Sequence, residues 1–311
     1  MQSLAAALSV LACLAAPAAA QDDPAIFRSD SRLVVLHATV LDAHGGLVTN
    51  LPQSAFHVFE NGVEQQLKIF RREDAPVSIG LIIDDSGSMT NKRQKVAAAA
   101  LALIKASHPD DEVFVLHFNE KAYLDTDFTN DTERLKAGLG TFDTQGATAM
   151  RDAVRLAIEH MERRAREDKK VLLVVSDGED NMSLVDRQFV VRAAQQSGVL
   201  VYAIGLLNEE QPDSAAEARK ELDALCRATG GEAYFLNDVS EAERTTREIA
   251  HDIRNQYTLA YSPSEDRLDG SYRRIRVTAD APVPLTVRTR AGYYATSATS
   301  AQSGAPAEPG R

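Results

Sequence analysis

Cysteine is nearly absent from this 311-residue sequence, which has Cys13 and Cys226 and no others. This excludes disulfide-rich scaffolds and zinc modules that depend on several cysteines. Cys226 shares a predicted helical face with Leu222 and Leu225. That position predicts a buried core thiol rather than a reactive one.

Basic residues are also scarce, with 34 Lys and Arg against 45 Asp and Glu and a net charge of −11. The acidic balance argues against nucleic acid and against a polybasic membrane patch. It is compatible with a divalent cation or with a basic partner face. At 44% hydrophobic residues, the chain has enough apolar material for one large core or two smaller ones.

Charged side chains are missing from residues 1–20, which are apolar and end in Ala18-Ala19-Ala20. This pattern is typical of a secretory signal, although no basic residue precedes the apolar run. The alternative is a disordered N-terminus. Anchoring as a lipoprotein through Cys13 is disfavoured because the residues before it match poorly. We therefore expect an exported protein, periplasmic or extracellular, with no integral membrane segment in the mature chain.

Residues 21–75 are predicted to form an N-terminal β segment. The range 32–42 is rich in β-branched residues, and 56–60 is a second short strand. Asn61-Gly62 then predicts a two-residue hairpin turn, with the chain returning from Gln65 to Phe70. Pro76 marks the boundary with the next segment.

Residues 76–254 show strands alternating with helices. Long apolar runs at 77–83, 170–176 and 198–205 are typical of strands that are covered on both faces. Further strands are predicted at 112–118, 121–128 (an edge strand) and 233–236. Helices are predicted at 92–107, 131–139, 149–166, 186–197, 214–229 and 240–254. This alternation predicts an α/β fold with a doubly wound, mostly parallel sheet.

After residue 255 the predicted helices stop and strands return, at 256–261, 272–278 and 285–290. Neither set of flanking strands is large enough to form a stable two-sheet sandwich by itself. We therefore expect the C-terminal segment 255–296 to pair with 21–75 in a small antiparallel β domain. Residues 297–311 are rich in Ala, Ser, Gly and Pro and are predicted to be a disordered tail.

Oxygen-bearing side chains follow the first buried strand, in the string Asp84-Asp85-Ser86-Gly87-Ser88. Two more lie at other strand or helix junctions: Thr148 before a predicted helix, and Asp177 after the second buried strand. All three loops should reach the carboxyl edge of the sheet, where ligands of such folds bind. Two carboxylates and three hydroxyls form a set of hard oxygen ligands suited to a divalent cation.

These residues resemble the metal-ion-dependent adhesion site of von Willebrand factor type A (VWA) domains. That family has an Asp-x-Ser-x-Ser loop, a Thr on a second loop and an Asp on a third. The matching positions are Asp84, Ser86, Ser88, Thr148 and Asp177, and the likeness covers residues 77–254. The resemblance implies a divalent cation, Mg²⁺ before Mn²⁺ or Ca²⁺. Its vacant coordination position would accept an Asp or Glu carboxylate of a protein partner.

The resemblance also implies a regulated site. Moving a carboxylate from direct to water-mediated coordination would strengthen the pull of the metal on an incoming anion. Asp177 is the candidate for that carboxylate, and movement of helix 240–254 is the switch that the family suggests. The flanks resemble secreted VWFA-related Acidobacterial domain proteins. That likeness rests on Val40-Leu41-Asp42, Gly45-Gly46, Leu51, Phe56 and 59–62, and on 256–261 and 290–294.

Three further carboxylates, Asp85, Glu179 and Asp180, lie beside the predicted ligands. We interpret them as solvated loop residues. The alternative is a second cation site or a filter against highly acidic partners.

The preferred function is metal-dependent protein binding in adhesion or interaction, with no catalytic residue. One alternative is a structural envelope protein whose metal only stabilises loops. A second is a hydrolase using Ser86 or Ser88. However, the sequence has no Gly-x-Ser-x-Gly, no phosphate-binding Gly-x-x-x-x-Gly-Lys-Ser/Thr loop and no His-Glu-x-x-His. The oligomeric state is left open.

Overall fold

The computed structural model describes residues 33–72, 74–140, 145–207 and 211–296. The predicted signal at 1–20, Cys13 within it, and the predicted tail at 297–311 lie outside these ranges. Within them, no helix is long and apolar enough to cross a membrane.

The strands and helices are numbered along the chain. The strands are β1 (Val34–Leu41), β2 (Phe56–Glu60), β3 (Val63–Gln65), β4 (Leu67–Arg71), β5 (Val77–Asp84), β6 (Glu112–Phe118), β7 (Ala122–Thr129), β8 (Lys169–Ser176), β9 (Leu200–Gly205), β10 (Ala233–Phe235), β11 (Tyr257–Tyr261), β12 (Tyr272–Ala279), β13 (Thr286–Arg288) and β14 (Gly292–Tyr294). The helices are α1 (Arg93–Ala106), α2 (Thr132–Gly138), α3 (Met150–Arg164), α4 (Arg187–Ser197), α5 (Pro212–Thr229) and α6 (Ala242–Arg254).

A six-stranded sheet in the order β10-β9-β8-β5-β6-β7 forms the centre of the α/β part. All pairs are parallel except β6–β7. The strand β7 is the edge strand that the sequence predicted, and it runs antiparallel to its neighbour. Every residue of β5 is buried, as its continuous apolar run requires. Gly80 lies at its centre because a Cβ there would meet Phe114 and Leu172 within 2.6 Å.

Helices cover both faces of this sheet, with one hydrophobic core on each. Alternate residues of β5 point to opposite sides, as a strand requires. Ile79, Leu81 and Ile83 pack in the core that includes α1 and α6, and Ile82 packs in the core that includes α3 and α5. Cys226 is buried in the second of these, which confirms the predicted core thiol. The predicted α/β fold is confirmed.

The flanking strands form two antiparallel sheets that mix the N- and C-terminal segments. Their orders are β13-β1-β11-β4 and β14-β12-β2-β3, and a third hydrophobic core includes residues of both sheets. The Asn61-Gly62 turn joins β2 to β3 with positive φ at both residues, as a hairpin of this kind needs. Antiparallel pairing between the described parts of the N- and C-terminal segments is therefore confirmed.

One predicted strand is divided in two. The stretch from Gln65 to Phe70 was expected to return as a single strand, but the chain changes sheets between β3 and β4. Gln65 marks this crossing, where its side-chain amide donates to Ser264 Oγ at 3.0 Å and accepts from Ser264 N at 2.9 Å. This contact between distant segments cannot be read from local alternation.

A buried polar network ties the antiparallel sheets to the α/β part through Asp252 of α6. Thr39 Oγ1 donates to Asp252 Oδ1 at 2.8 Å, and Tyr202 Oη donates to Asp252 Oδ2 at 2.9 Å. Arg288 of β13 forms an ion pair with the same carboxylate. Burial raises the pKa of Tyr202 well above its usual value, so its hydroxyl keeps its proton and remains a donor.

Replacing Asp252 with alanine is expected to lower the free energy of unfolding by about 3 kcal/mol. The substitution removes the acceptor of the half-buried Arg288 guanidinium and of two hydroxyls. Urea denaturation followed by circular dichroism measures the change. Glu248→Ala, an exposed position on the same helix, is the control and should shift it by less than about 0.5 kcal/mol. Equal effects of the two substitutions would contradict the structural role of Asp252.

Candidate metal centre

Three loops meet at the carboxyl edge of the central sheet. The first follows β5, and backbone bonds tie it to the second: Gly87 N donates to Gly146 O at 3.3 Å, and Gln145 N donates to Asp85 O at 3.1 Å. An added Cβ at Gly87 would lie 3.9 Å from Gly146 O, an ordinary van der Waals distance, so this contact does not itself require glycine. The first two predicted loops therefore lie side by side.

The third loop follows β8 and is tied to the second at Thr148. Asn181 N and Met182 N both donate to Thr148 O at 3.1 Å. In return, Thr148 N donates to Asn181 Oδ1 at 3.1 Å. Because β5 and β8 are neighbouring parallel strands, this third loop also lies next to the first.

Side-chain oxygens of the first and third loops are in direct contact. Ser86 Oγ lies 3.2 Å from Ser88 Oγ, and Ser88 Oγ donates to Asp177 Oδ1 at 2.7 Å. Asp84 Oδ1 accepts from Ser86 N at 2.9 Å. The structure thus brings Asp84, Ser86, Ser88 and Asp177 together, with Thr148 on the loop bonded to them.

Asp84 is buried at the point where β5 ends. Ser176, the last residue of β8, donates its hydroxyl to Asp84 Oδ2 at 2.6 Å. Burial raises the pKa of the Asp84 carboxyl to about 6, and the hydrogen bonds from Ser176 and Ser86 act in the opposite direction. A cation held against this carboxyl would favour its charged form. Sequence reasoning missed Ser176, although its position directly before Asp177 was a usable signal.

The donor set fits a small, hard divalent cation. Cis ligands of an octahedral Mg²⁺ lie about 3 Å apart, and the two oxygen contacts of Ser88 are 3.2 and 2.7 Å. Within the described ranges, no three His, Cys, Asp or Glu side chains are arranged to hold a metal ion. A cation here would therefore depend on hydroxyl oxygens as well as on Asp84 and Asp177.

Comparison with known proteins shows which family the α/β part resembles. A family model described as von Willebrand factor type A domain matches residues 79–179, a range that contains all five predicted ligands. The chain contains a von Willebrand factor type A domain. Mouse integrin alpha-M is 36% identical over 104 residues, which is 33% of this chain and 9% of that relative. The chain therefore spans a small part of the length of this curated relative.

Solved structures show the same fold. A von Willebrand factor type A protein from Catenulispora acidiphila superposes with a TM-score of 0.50 at 14% identity, covering 88% of this chain and 77% of that one. Proximal thread matrix protein 1 from the mussel byssus has a TM-score of 0.50 at 16% identity, covering 63% of this chain and 51% of its own.

Two of the three extra carboxylates of the VWA domain are not the solvated loop residues that the sequence suggested. Asp85 and Asp180 are both buried. Asp180 accepts from the backbone N of Arg151 at 2.7 Å and pairs with the Arg151 guanidinium at 3.0 Å. These contacts lower the pKa of Asp180 against the effect of burial. The carboxylate therefore anchors the third loop to α3, while Glu179 is half-buried.

Lys92, just before α1, is a further site residue that sequence reasoning missed. Its ammonium nitrogen lies 2.7 Å from Asp177 Oδ2, and both side chains are buried. The available signal was a lysine four residues after Ser88, although Arg93 and Lys95 follow it closely. The sequence does not show that the Lys92 side chain points toward the third loop, because that direction depends on tertiary packing.

Adding Mg²⁺ is expected to raise the melting temperature of the protein, because an ion that binds only the folded state stabilises it. At a concentration about a hundredfold above Kd the gain is about 2.7 kcal/mol. Differential scanning calorimetry with Mg²⁺ or with a chelator measures the shift. Asp84→Asn should abolish it, and Asp266→Asn, an exposed aspartate in the β11–β12 connection, should keep it. Equal shifts in both variants would contradict the assignment of Asp84.

Proposed function

We propose that the protein is an exported interaction module that captures an acidic group of a partner protein through a divalent cation. Asp84, Ser86, Ser88, Thr148 and Asp177 would hold the ion. The observation that carries this proposal is the meeting of three loops from distant parts of the chain, with side-chain oxygens of the first and third loops in direct contact. Export rests on the pattern of residues 1–20.

A bound cation would supply a positively charged position that accepts a carboxylate oxygen of the partner. The chain's own residues fix the geometry: Ser176 and Ser86 N orient Asp84, and Ser88 bridges toward Asp177. Because three of the five donors are neutral hydroxyls, the site cancels less of the ion's charge than an all-carboxylate site would. Mg²⁺ is our first choice, and Mn²⁺ and Ca²⁺ accept the same donors.

Apolar side chains beside this site favour a protein partner. Leu184 and Met182, on the third loop, are 95% and 52% exposed. Their loop is nevertheless held firmly, since Leu184 N donates to Asp152 Oδ2 at 3.0 Å and Ser183 Oγ donates to Asp180 Oδ2 at 2.7 Å. Two exposed apolar side chains on a well-anchored loop offer an apolar contact to a protein partner.

Capture from a cell-envelope extract tests the proposal. The immobilised protein is expected to retain a partner in Mg²⁺ and release it into chelator, and Asp84→Ala should retain none. Asp266→Ala is the matched control and should behave as the unaltered protein. Retention that persists unchanged in chelator would show that no metal bridge is involved.

Leu184→Ser is expected to weaken partner retention by about tenfold, since an apolar contact would be lost, while the Mg²⁺-dependent melting shift stays the same. Leu268→Ser is the control, because Leu268 is also exposed but lies in the β11–β12 connection. Titration of the captured partner by surface plasmon resonance compares the two. Equal retention by both variants would exclude the third loop from the contact.

The two alternatives give different results in the same material. A structural role predicts that chelation lowers the melting temperature while no partner is retained at any metal concentration. A hydrolase role predicts turnover of ester, peptide or phosphate substrates that is lost in Ser86→Ala or Ser88→Ala. The contacts of Ser88 with Ser86 and Asp177 are those of a ligand cluster, which favours the binding role.

A further inference from the structure

Lys92 is fixed at the start of α1. Its backbone N donates to Met89 O at 2.9 Å, and its carbonyl accepts from Lys95 N and Val96 N at 3.1 and 3.0 Å. The side chain is buried and ends 2.7 Å from Asp177 Oδ2. A buried ammonium is tolerated only beside a compensating negative group, and Asp177 is such a group.

Both carboxylate oxygens of Asp177 are engaged within the protein. Ser88 donates to Oδ1 and Lys92 to Oδ2. A divalent ion that bound Asp177 directly would have to compete with the ammonium for the carboxylate. It would also lie beside a buried cation deprived of that counter-ion, and the like charges would repel strongly in such a site.

We propose that Lys92 holds Asp177 away from direct coordination, so that the ion is bound directly by Asp84 and hydroxyls and reaches Asp177 only through water. This inference rests on the metal-dependent function proposed above. With one carboxylate fewer against it, the ion binds the protein more weakly and attracts a partner carboxylate more strongly. Lys92 is thus a positioning residue that transfers part of the ion's coordination to the partner.

Calorimetric titration of the full chain with Mg²⁺ and with Mn²⁺ tests this role. Lys92→Met is expected to tighten metal binding by about tenfold, because it frees Asp177 to coordinate. In chelator the same variant should melt at a lower temperature than the unaltered protein, since Asp177 loses its counter-ion. Lys95→Met, an exposed lysine on α1, is the matched control and should change neither quantity.

The same lysine substitution in an Asp177→Asn variant tests whether the tighter metal binding comes from Asp177. In Asp177→Asn, the substitution of Lys92 should tighten binding less, because only the repulsion between its ammonium and the ion is lost and there is no carboxylate to release. Equal tightening in the two backgrounds would overturn the inference. If Lys92→Met does not fold, Lys92→Gln removes the charge while keeping a polar side chain. Metal binding that is unchanged or weaker in the lysine variants would overturn the role of Lys92 and leave the proposed function standing. The absence of metal binding by the unaltered protein would overturn the proposed function as well.

Discussion

The burial of Asp84 between two neighbouring parallel strands is the constraint on which the site depends. The carboxylate lies at the last residue of β5, and its second oxygen is held by Ser176 at the last residue of β8. This bond joins the two strands from which the first and third loops begin. A buried carboxylate is costly unless several donors, or a cation, compensate it. The loops are therefore arranged around Asp84. The path of the first loop brings the hydroxyls of Ser86 and Ser88 together.

Most of the fold and all five candidate ligands could be predicted because their signals are local. Buried strands are recognisable as apolar runs, and each predicted ligand lies in a loop where such a run ends or a helix begins. Lys92, Ser176 and Asp180 were missed or misread for one reason: their roles depend on partners far along the chain. Asp180 reads as a loop carboxylate until Arg151 is brought to it by the packing of α3. Side-chain direction at such positions is a product of tertiary structure.

The antiparallel sheets restrain any movement of α6, which is the helix that the family resemblance implies as a switch. Near its C-terminus, Asp252 bonds to Thr39 of β1 and pairs with Arg288 of β13. These partners belong to the flanking segments and not to the α/β part. Displacing this end of α6 along the sheet would separate the buried Asp252 carboxylate from the half-buried Arg288 guanidinium. The flanking segments therefore act as a fixed support for the C-terminal end of α6.

The charge at the sheet edge is lower than a count of its acidic residues suggests. Asp177 is paired with Lys92 and Asp180 with Arg151, so two of the clustered carboxylates are compensated within the protein. In the proposed site, a divalent ion held mainly by Asp84 and neutral hydroxyls would keep much of its charge unbalanced. The protein alone would then make an incomplete site, and a carboxylate from outside would be the group that best completes it. Weak metal binding and strong carboxylate recognition would be two results of the same internal ion pair.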